Sequence, residues 1–160
     1  MQRTISAKDK YVIGVISDTH GLLRPEVTEI FASVDRILHA GDIGGPDILA
    51  SLRDMAPVTA VRGNMDYGAW AGDLPETRRS AIGDKQLFMI HDIAGMGPAN
   101  TGIQIVVSGH THRPLIERKS NVLYLNPGSA GVRRRHYPVS LGLLYIDNGR
   151  LDAEIVIIDP

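Results

Sequence analysis

Short apolar runs rich in Val and Ile alternate with helical patterns in the first half of this 160-residue chain, and this alternation restricts the possible folds most. The runs at 11–17, 36–40 and 57–63 are almost continuously apolar, as strands covered on both faces are. Between them, residues 24–34 and 46–55 carry apolar side chains at helical spacing, each with a proline suited to a first helical turn. A β-α-β-α-β order predicts parallel strands joined by helical crossovers.

The second half follows a different pattern, in which pairs of apolar runs flank short polar turns. Turns containing GD, KSN and DNG predict three antiparallel hairpins, and a further buried strand is predicted at 103–109. We therefore expect an α/β fold built from two packed mixed β-sheets flanked by helices. Residues 1–10 are polar and are expected to form a flexible tail, which leaves 11–160 as a single domain.

Composition excludes several classes of function. The formal net charge of −1 gives no electrostatic support for binding nucleic acid, which usually requires a basic excess. The chain has no cysteine, so disulfides and thiolate metal sites are excluded. The apolar runs are too short to cross a bilayer, and the N-terminus lacks the apolar core of a signal peptide. These features predict a cytoplasmic protein that does not enter a membrane.

Polar side chains follow the predicted buried strands, at the points where the strands end. The candidate functional side chains at these strand ends are Asp18, His20, Asp42, Asn64, His91, His110 and His112. Ligands of parallel α/β sheets bind beyond the carboxyl ends of the strands, so these side chains are expected to meet at one rim. Because residues two apart in an extended chain point to the same side, the sequences DTH and HTH should each direct two donor atoms into one space.

This donor set mixes carboxylate, amide and imidazole groups. The set is too large for one divalent ion and suits two ions that share a bridging carboxylate. Imidazole with carboxylate suits Mn, Fe, Zn, Ni or Co better than Mg or Ca, which prefer oxygen ligands throughout.

The segments SDTHG, HAGDIGG, RGNMD, MIHD and SGHTH, followed by NPGS, occur in the order found in calcineurin-like metallophosphoesterases. The chain resembles this superfamily from residue 11 to about residue 158, and most closely its small single-domain YfcE-type phosphodiesterase branch. The resemblance implies a four-layer α/β/β/α sandwich. It also implies a dinuclear, metal-dependent phosphoesterase, and more specifically a phosphodiesterase, in which a metal-bound hydroxide attacks phosphorus in line.

The resemblance assigns a role to each donor. Asp18, His20 and His112 would hold one ion, Asn64, His91 and His110 would hold the other, and Asp42 would bridge both ions. Asp42, Asn64 and His110 are the expected catalytic residues, and Asn64 and Arg133 are expected to contact the substrate. Mn is the first choice of metal. A small phosphoester is the implied substrate, and a homodimer or homotetramer is the implied assembly.

Two departures from the family pattern concern the surroundings of the donors. Met65 stands where many relatives carry a histidine that is thought to protonate the leaving group, and methionine cannot donate a proton. Asp92 and Ile93 stand after His91 where relatives usually have glycine and often a further histidine. Asp92 is expected to be an exposed loop carboxylate.

The sequence leaves alternatives open for two of the donors and for the function. Asn64 also fits a left-handed turn residue, and His91 also fits a hydrogen-bonded polar residue at a strand end. A catalytically weak or inactive scaffold that resembles the retromer subunit of this fold family is the main alternative function, because a fold does not fix a function. A nucleotide-binding module is disfavoured because SDTHG has one glycine where such a module needs a glycine-rich phosphate loop.

Overall fold

The computed structural model describes residues 10–97, 101–134 and 136–160, and its strands form two five-stranded sheets. The strands of the first sheet are β1 (Lys10–Ile16), β2 (Arg36–His39), β3 (Val58–Ala60), β9 (Val139–Asp147) and β10 (Arg150–Asp159). Their spatial order is β10-β9-β1-β2-β3. The strands β1, β2 and β3 are parallel, whereas β9 runs antiparallel to both β1 and β10.

The second sheet also contains both parallel and antiparallel strands. Its strands are β4 (Thr77–Ile82), β5 (Lys85–Ile90), β6 (Ile105–Val107), β7 (Leu115–Lys119) and β8 (Val122–Asn126). Their order is β4-β5-β6-β8-β7, in which β5, β6 and β8 are parallel and both edge strands are antiparallel. Each sheet therefore has a set of parallel strands whose carboxyl ends share one edge.

The main core lies between the two sheets. Alternate residues of β1, including Ile13 and Val15, face Leu87 and Met89 of β5 and other fully buried side chains of the second sheet. The opposite face of the first sheet packs against the helices α1 (Pro25–Ile30) and α2 (Pro46–Arg53). This alternation follows from the period of two in a strand, which places successive side chains on opposite faces.

The predicted fold class, two mixed sheets packed together with helices outside, is confirmed. The three predicted hairpins are β4–β5, β7–β8 and β9–β10. The first helix is shorter than predicted, because it ends at Ile30 and a turn occupies 31–33. Phe31 and Val34 nevertheless pack into the cluster beneath the helices, so the predicted apolar face is correct.

The outer face of the second sheet has a thin cover in the described part of the chain. A 3-10 helix, Ile93–Gly95, and the segment around it lie over Phe88, Ile90 and Val106. Residues 98–100, which precede the predicted strand at 103–109, lie outside the described residues. Most of the predicted tail, residues 1–9, lies outside them as well, and Lys10 begins β1. None of the helices in the described ranges is long and apolar enough to cross a membrane.

Candidate metal centre

The predicted donors meet at the carboxyl ends of the parallel strands of both sheets. The first sheet contributes donors after β1, β2 and β3, and the second sheet contributes donors after β5 and β6. Six of them form two groups, and within each group the ligand atoms lie within 4.8 Å of one another. The first group is Asp18, His20 and His112, and the second is Asp42, His91 and His110. The seventh candidate, Asn64, places Oδ1 2.9 Å from Nε2 of His91 in the second group.

The backbone at these strand ends is left-handed, which differs from the extended geometry that the sequence predicts. Of the eight non-glycine residues with positive φ in the described part of the chain, five are donors: Asp18, His20, Asp42, His110 and His112. This conformation costs a non-glycine residue about 1–2 kcal/mol. Such strain persists where the surrounding structure enforces it, and it collects at functional sites.

Backbone hydrogen bonds between the loops hold this conformation. The nitrogen of Asp18 donates to Gly41 O at 3.0 Å and the nitrogen of His20 donates to Asp42 O at 2.9 Å, which continues the β1–β2 pairing past the strands. Gly63 packs so closely against the second loop that a Cβ there would lie 2.1 Å from the nitrogen of Asp42. The donors therefore sit on tightly packed loops with little room to move.

Asp18 is fully buried, and its two carboxylate oxygens have different surroundings. Its Oδ2 accepts hydrogen bonds from Ser17 Oγ at 2.6 Å and from the nitrogen of His110 at 3.0 Å. Its Oδ1 has no hydrogen-bond partner in the described structure and lies 3.2 Å from Nε2 of His112. A buried carboxylate oxygen without a donor is costly, and either a cation or a proton on the neighbouring ring would satisfy it.

The two carboxylate oxygens of Asp42 also have different surroundings. Asp42 belongs to the second group and lies close to the first group as well. Its Oδ1 accepts from the nitrogen of Met65 at 2.8 Å. Its Oδ2 lies 3.6 Å from Nε2 of His20, which belongs to the first group, and 3.2 Å from Nε2 of His91, which belongs to the second. This is the position from which one carboxylate can serve two cations.

The ring of His91 is oriented by the backbone. Its Nδ1 donates to Ala40 O at 2.7 Å, so the electron pair of a neutral ring lies on Nε2. Nε2 faces Asn64 Oδ1 and Asp42 Oδ2, both of which are acceptors. Nδ1 of His110 lies 3.2 Å from the same Asn64 oxygen. Acceptor atoms that converge in this way need either a proton or a cation among them, so the residues present fit a divalent metal.

The pKa values of the site reflect this crowding. Burial alone would raise the pKa of Asp18, but contacts with His112, His20 and Ser17 hold it far below its usual range. Burial would also raise the pKa of Asp42, but His91 and the backbone amide of Met65 lower it. Burial would lower the pKa of His91, but the neighbouring Asp42 and Asp18 carboxylates raise it. The carboxylates thus stay ionised and available to a cation.

Two residues outside the donor set fix the loops that carry it. The carboxylate of Asp66 accepts from the backbone nitrogens of Ile43, Gly44 and Gly63, at distances from 2.9 to 3.2 Å, and joins the loops after β2 and β3. Asn126, at the end of β8, donates from Nδ2 to Gly109 O at 2.9 Å. Both residues act on the backbone and hold the donor loops in place.

His39 is a further histidine close to the donors, and it is a packing residue. It is fully buried, its Nδ1 accepts from the nitrogen of Gly41 at 3.1 Å, and its Nε2 lies 2.9 Å from Thr19 Oγ1. Because Thr19 donates its own hydroxyl proton to Ile43 O, Nε2 of His39 must donate to Thr19. Both ring nitrogens are therefore satisfied in the neutral tautomer, and burial lowers the pKa of His39 from 6.5 to about 4.

This buried neutral ring predicts a pH dependence of stability. Below pH 6.5 the unfolded chain binds a proton at His39 that the folded protein binds only near pH 4, so stability is lost as the pH falls through this range. The loss amounts to about 3 kcal/mol. We expect His39→Gln, which keeps an amide donor for Thr19 and does not titrate, to lose that much less between pH 7 and pH 4. Urea unfolding of both proteins in chelator measures the difference, and parallel pH profiles would contradict the prediction.

The structure places the arginines after NPGS differently from the expectation. Arg133 Nη1 pairs with Asp159 Oδ1 of β10 at 3.4 Å, and Arg133 is not among the described residues that line the cavity beside the donors. Its neighbour Arg134 lines a cavity beside His110 and His112 instead. The sequence pattern locates the basic loop near the site, but three consecutive arginines give no sign of which one faces it.

Two neighbours of the donors are not identified by the sequence pattern. Ser17 holds Asp18 through its hydroxyl, and its position directly before the SDTHG aspartate could have indicated this contact. Asp92, expected as an exposed carboxylate, accepts from the nitrogen of Ala94 through Oδ1, and its Oδ2 lies 3.6 Å from His110 Nε2. Asp92 therefore caps the short helix after β5 at the outer side of the second group.

Comparison with known proteins gives a consistent result. The calcineurin-like phosphoesterase superfamily domain matches residues 12–149. A probable metallophosphoesterase of Methanothermobacter thermautotrophicus is 41% identical, over 91% of this chain and 91% of its own. The phosphodiesterase YfcE of Escherichia coli K12 is 28% identical, over 80% of this chain and 84% of its own.

A solved structure shares the fold at much lower identity. Vacuolar protein sorting 29 of Cryptosporidium parvum superposes with a TM-score of 0.76 and 19% identity, covering 96% of this chain and 100% of its own. At this identity the likeness concerns the fold alone. A shared fold does not fix a shared function, so the donor set must be judged on its own chemistry.

Proposed function

The chain belongs to the calcineurin-like phosphoesterase superfamily and is a metal-dependent phosphoesterase, and we propose that it hydrolyses small phosphodiesters at a centre of two divalent ions. The similarity to YfcE, a phosphodiesterase, supports diesters as the substrate class. The single observation that carries the dinuclear centre is the position of Asp42, whose Oδ2 lies within 3.6 Å of a histidine from each donor group.

The proposed ligand assignment follows the two groups. Asp18, His20 and His112 hold one ion, His91, His110 and Asn64 hold the other, and Asp42 is shared. Mn²⁺ is the first candidate, and Zn²⁺, Fe²⁺, Ni²⁺ and Co²⁺ are alternatives that also suit a mixture of nitrogen and oxygen donors.

The protein side chains contribute positioning and charge to the reaction. When bound, two divalent ions supply Lewis acidity toward phosphoryl oxygens and lower the pKa of water. The backbone hydrogen bonds that fix Asp18 and Asp42 hold the donors before substrate arrives, so no reorganisation is needed during the reaction. Asn64 is exposed at the mouth of the site, where its amide can donate a hydrogen bond to a phosphoryl oxygen.

Metal loading is the direct test of this proposal. We expect about two Mn²⁺ ions per chain by elemental analysis after loading and desalting, because two donor groups share one carboxylate. Hydrolysis of bis(p-nitrophenyl) phosphate should require the loaded protein. Each bound ion should also raise the free energy of unfolding by about 2.7 kcal/mol at a free metal concentration of 100 times its Kd. A protein that retains no ion after loading would reject the proposal.

An assembly scaffold is the second candidate, and the fold likeness to vacuolar protein sorting 29 favours it. A scaffold does not need a complete set of donors, and the buried Oδ1 of Asp18 would be costly without a cation or a proton on the neighbouring ring. Two bound ions without turnover on any mono- or diester would favour the scaffold. Turnover that depends on the ions would favour the enzyme.

The remaining expectations concern location and assembly. A cytoplasmic location and a homodimer or homotetramer stay predictions of the sequence, which fractionation of cells and light scattering would check.

A further inference from the structure

A cavity of about 450 Å³ opens directly beside the donors. It is lined by His110, Thr111 and His112 on one side and by Arg134 and Tyr137 on the other. The histidines come from both donor groups, so the cavity adjoins both proposed ion positions. A substrate with its phosphoryl group at the ions would place part of its organic group in this space.

The loop that carries the far wall is anchored to the donor site at its base. The nitrogen of Ala130 donates to Ser17 O at 3.1 Å, and Ser129 Oγ donates to Asp18 O at 3.0 Å. Arg24, at the start of α1, donates from Nε to Gly131 O at 3.0 Å. The residues that follow Gly131 are therefore held next to the first donor group by contacts that do not depend on substrate.

Arg134 and Tyr137 are held close together on this loop and have different chemistry. The nitrogen of Tyr137 donates to Arg134 O at 3.1 Å, so the backbones of the two residues lie close together, and both residues line the cavity. Within the described residues the Arg134 guanidinium has no acidic partner, in contrast to Arg133, which pairs with Asp159. An uncompensated guanidinium beside an anion site suits phosphate oxygens, which it can contact through two parallel hydrogen bonds.

Tyr137 supplies the apolar part of the wall. The residue is 39% exposed although it is large and aromatic, and it lines the cavity. Aromatic rings prefer offset-stacked or edge-to-face contacts with other rings, and such contacts add to the area that they bury.

We propose that Arg134 and Tyr137 form a substrate subsite that selects phosphoesters with an aromatic ring in the organic group. Arg134 contacts an oxygen of the phosphate, and Tyr137 packs against the ring. The inference deepens the proposed function and rests on it, because the phosphoryl group is taken to lie at the donor site.

The test uses two non-hydrolysable ligands that differ in the ring alone, phenylphosphonate and methylphosphonate. Each is measured as a competitive inhibitor of bis(p-nitrophenyl) phosphate hydrolysis and by calorimetry on the Mn²⁺-loaded protein. We expect Tyr137→Ala to raise Ki and Kd for phenylphosphonate about tenfold, as loss of one ring stacking contact does. Methylphosphonate binding should stay unchanged, and Tyr137→Phe should bind both ligands like the wild type.

The arginine is tested with its neighbour as the matched control. Arg134→Ala should weaken both phosphonates about tenfold, as loss of a charge-assisted contact does. Arg133→Ala removes the same charge from the same loop and should leave both affinities unchanged. Circular dichroism and metal content establish that each variant is folded and loaded.

The outcomes separate this inference from the proposed function. Equal losses for both phosphonates in Tyr137→Ala, or no loss for either, would overturn the ring subsite. Equal effects of Arg133→Ala and Arg134→Ala would overturn the assignment of Arg134. If the loaded wild type hydrolyses no ester, the proposed function fails, and the calorimetric affinities alone then decide whether the subsite exists.

Discussion

Asp42→Asn is expected to lower kcat for bis(p-nitrophenyl) phosphate by about 10³-fold or more, on the scale of the loss seen when a central electrostatic group is removed. Asparagine can still accept the hydrogen bond from the Met65 nitrogen through Oδ1. Its amide nitrogen would replace the oxygen that faces His20 and His91, and an amide NH₂ cannot bind a cation. The substitution thus keeps the shape of the loop and removes the shared ligand.

Elemental analysis adds a second measurement to this experiment. Loss of the shared carboxylate should lower the metal content below two ions per chain, because both donor groups lose a ligand. Asp84→Asn is the matched control: it makes the same change in the β4–β5 turn, where Asp84 is exposed and pairs with Lys85. Near-normal turnover in folded Asp42→Asn, with two ions bound, would remove Asp42 from the centre.

The convergence of the donors could be predicted from the sequence because it depends on topology. Parallel neighbours bring the strand ends at Asp18 and Asp42 to one edge of the first sheet, as the sequence pattern predicts. His91 follows a strand of the second sheet, so its approach to them depends also on how the two sheets pack. The hairpins were equally predictable, since Asn148 and Gly149 in the DNG turn have the positive φ that such turns need.

The local geometry of the donors could not be predicted in the same way, and the extended arrangement expected for DTH and HTH is wrong. Asp18, His20, His110 and His112 all adopt positive φ. Single-residue preferences disfavour this conformation, and it results from hydrogen bonds to residues far along the chain, such as His20 with Asp42 O. A pattern of local spacing contains no information about such contacts.

The choice between Arg133 and Arg134 could not be made from the sequence for a related reason. Both belong to one run of arginines, and their different surroundings arise because Asp159 on β10 lies beside Arg133. Asp159 is far from Arg133 in the sequence and lies on β10, an edge strand of the first sheet, whereas Arg133 lies in a loop. Substrate contacts that depend on side-chain direction in a loop need the folded structure.

Gly109→Ala is expected to abolish most activity through a single added methyl group. A Cβ at Gly109 would lie 2.0 Å from Ser17 Oγ and 2.7 Å from Asp18 Oδ2. The hydroxyl that it meets donates to that same carboxylate oxygen at 2.6 Å, so the collision displaces Asp18 from the first donor group. We expect the free energy of unfolding in chelator to fall by about 1–3 kcal/mol, as overpacking costs, and turnover to fall at least about 10²-fold.

Two further variants separate the collision from a general effect of substitution. Gly95→Ala adds the same methyl group where the nearest atom, Ile90 Cδ1, is 3.6 Å away, and it should leave stability and turnover close to those of the wild type. Ser17→Ala in the Gly109→Ala background removes the hydroxyl at 2.0 Å and leaves Asp18 Oδ2 at 2.7 Å and the Cβ of residue 17 at 3.0 Å. Since the closest contact is then gone, the double variant should regain part of the lost stability and metal binding. A double variant no better than Gly109→Ala would show that the glycine is required for a reason other than its approach to Ser17.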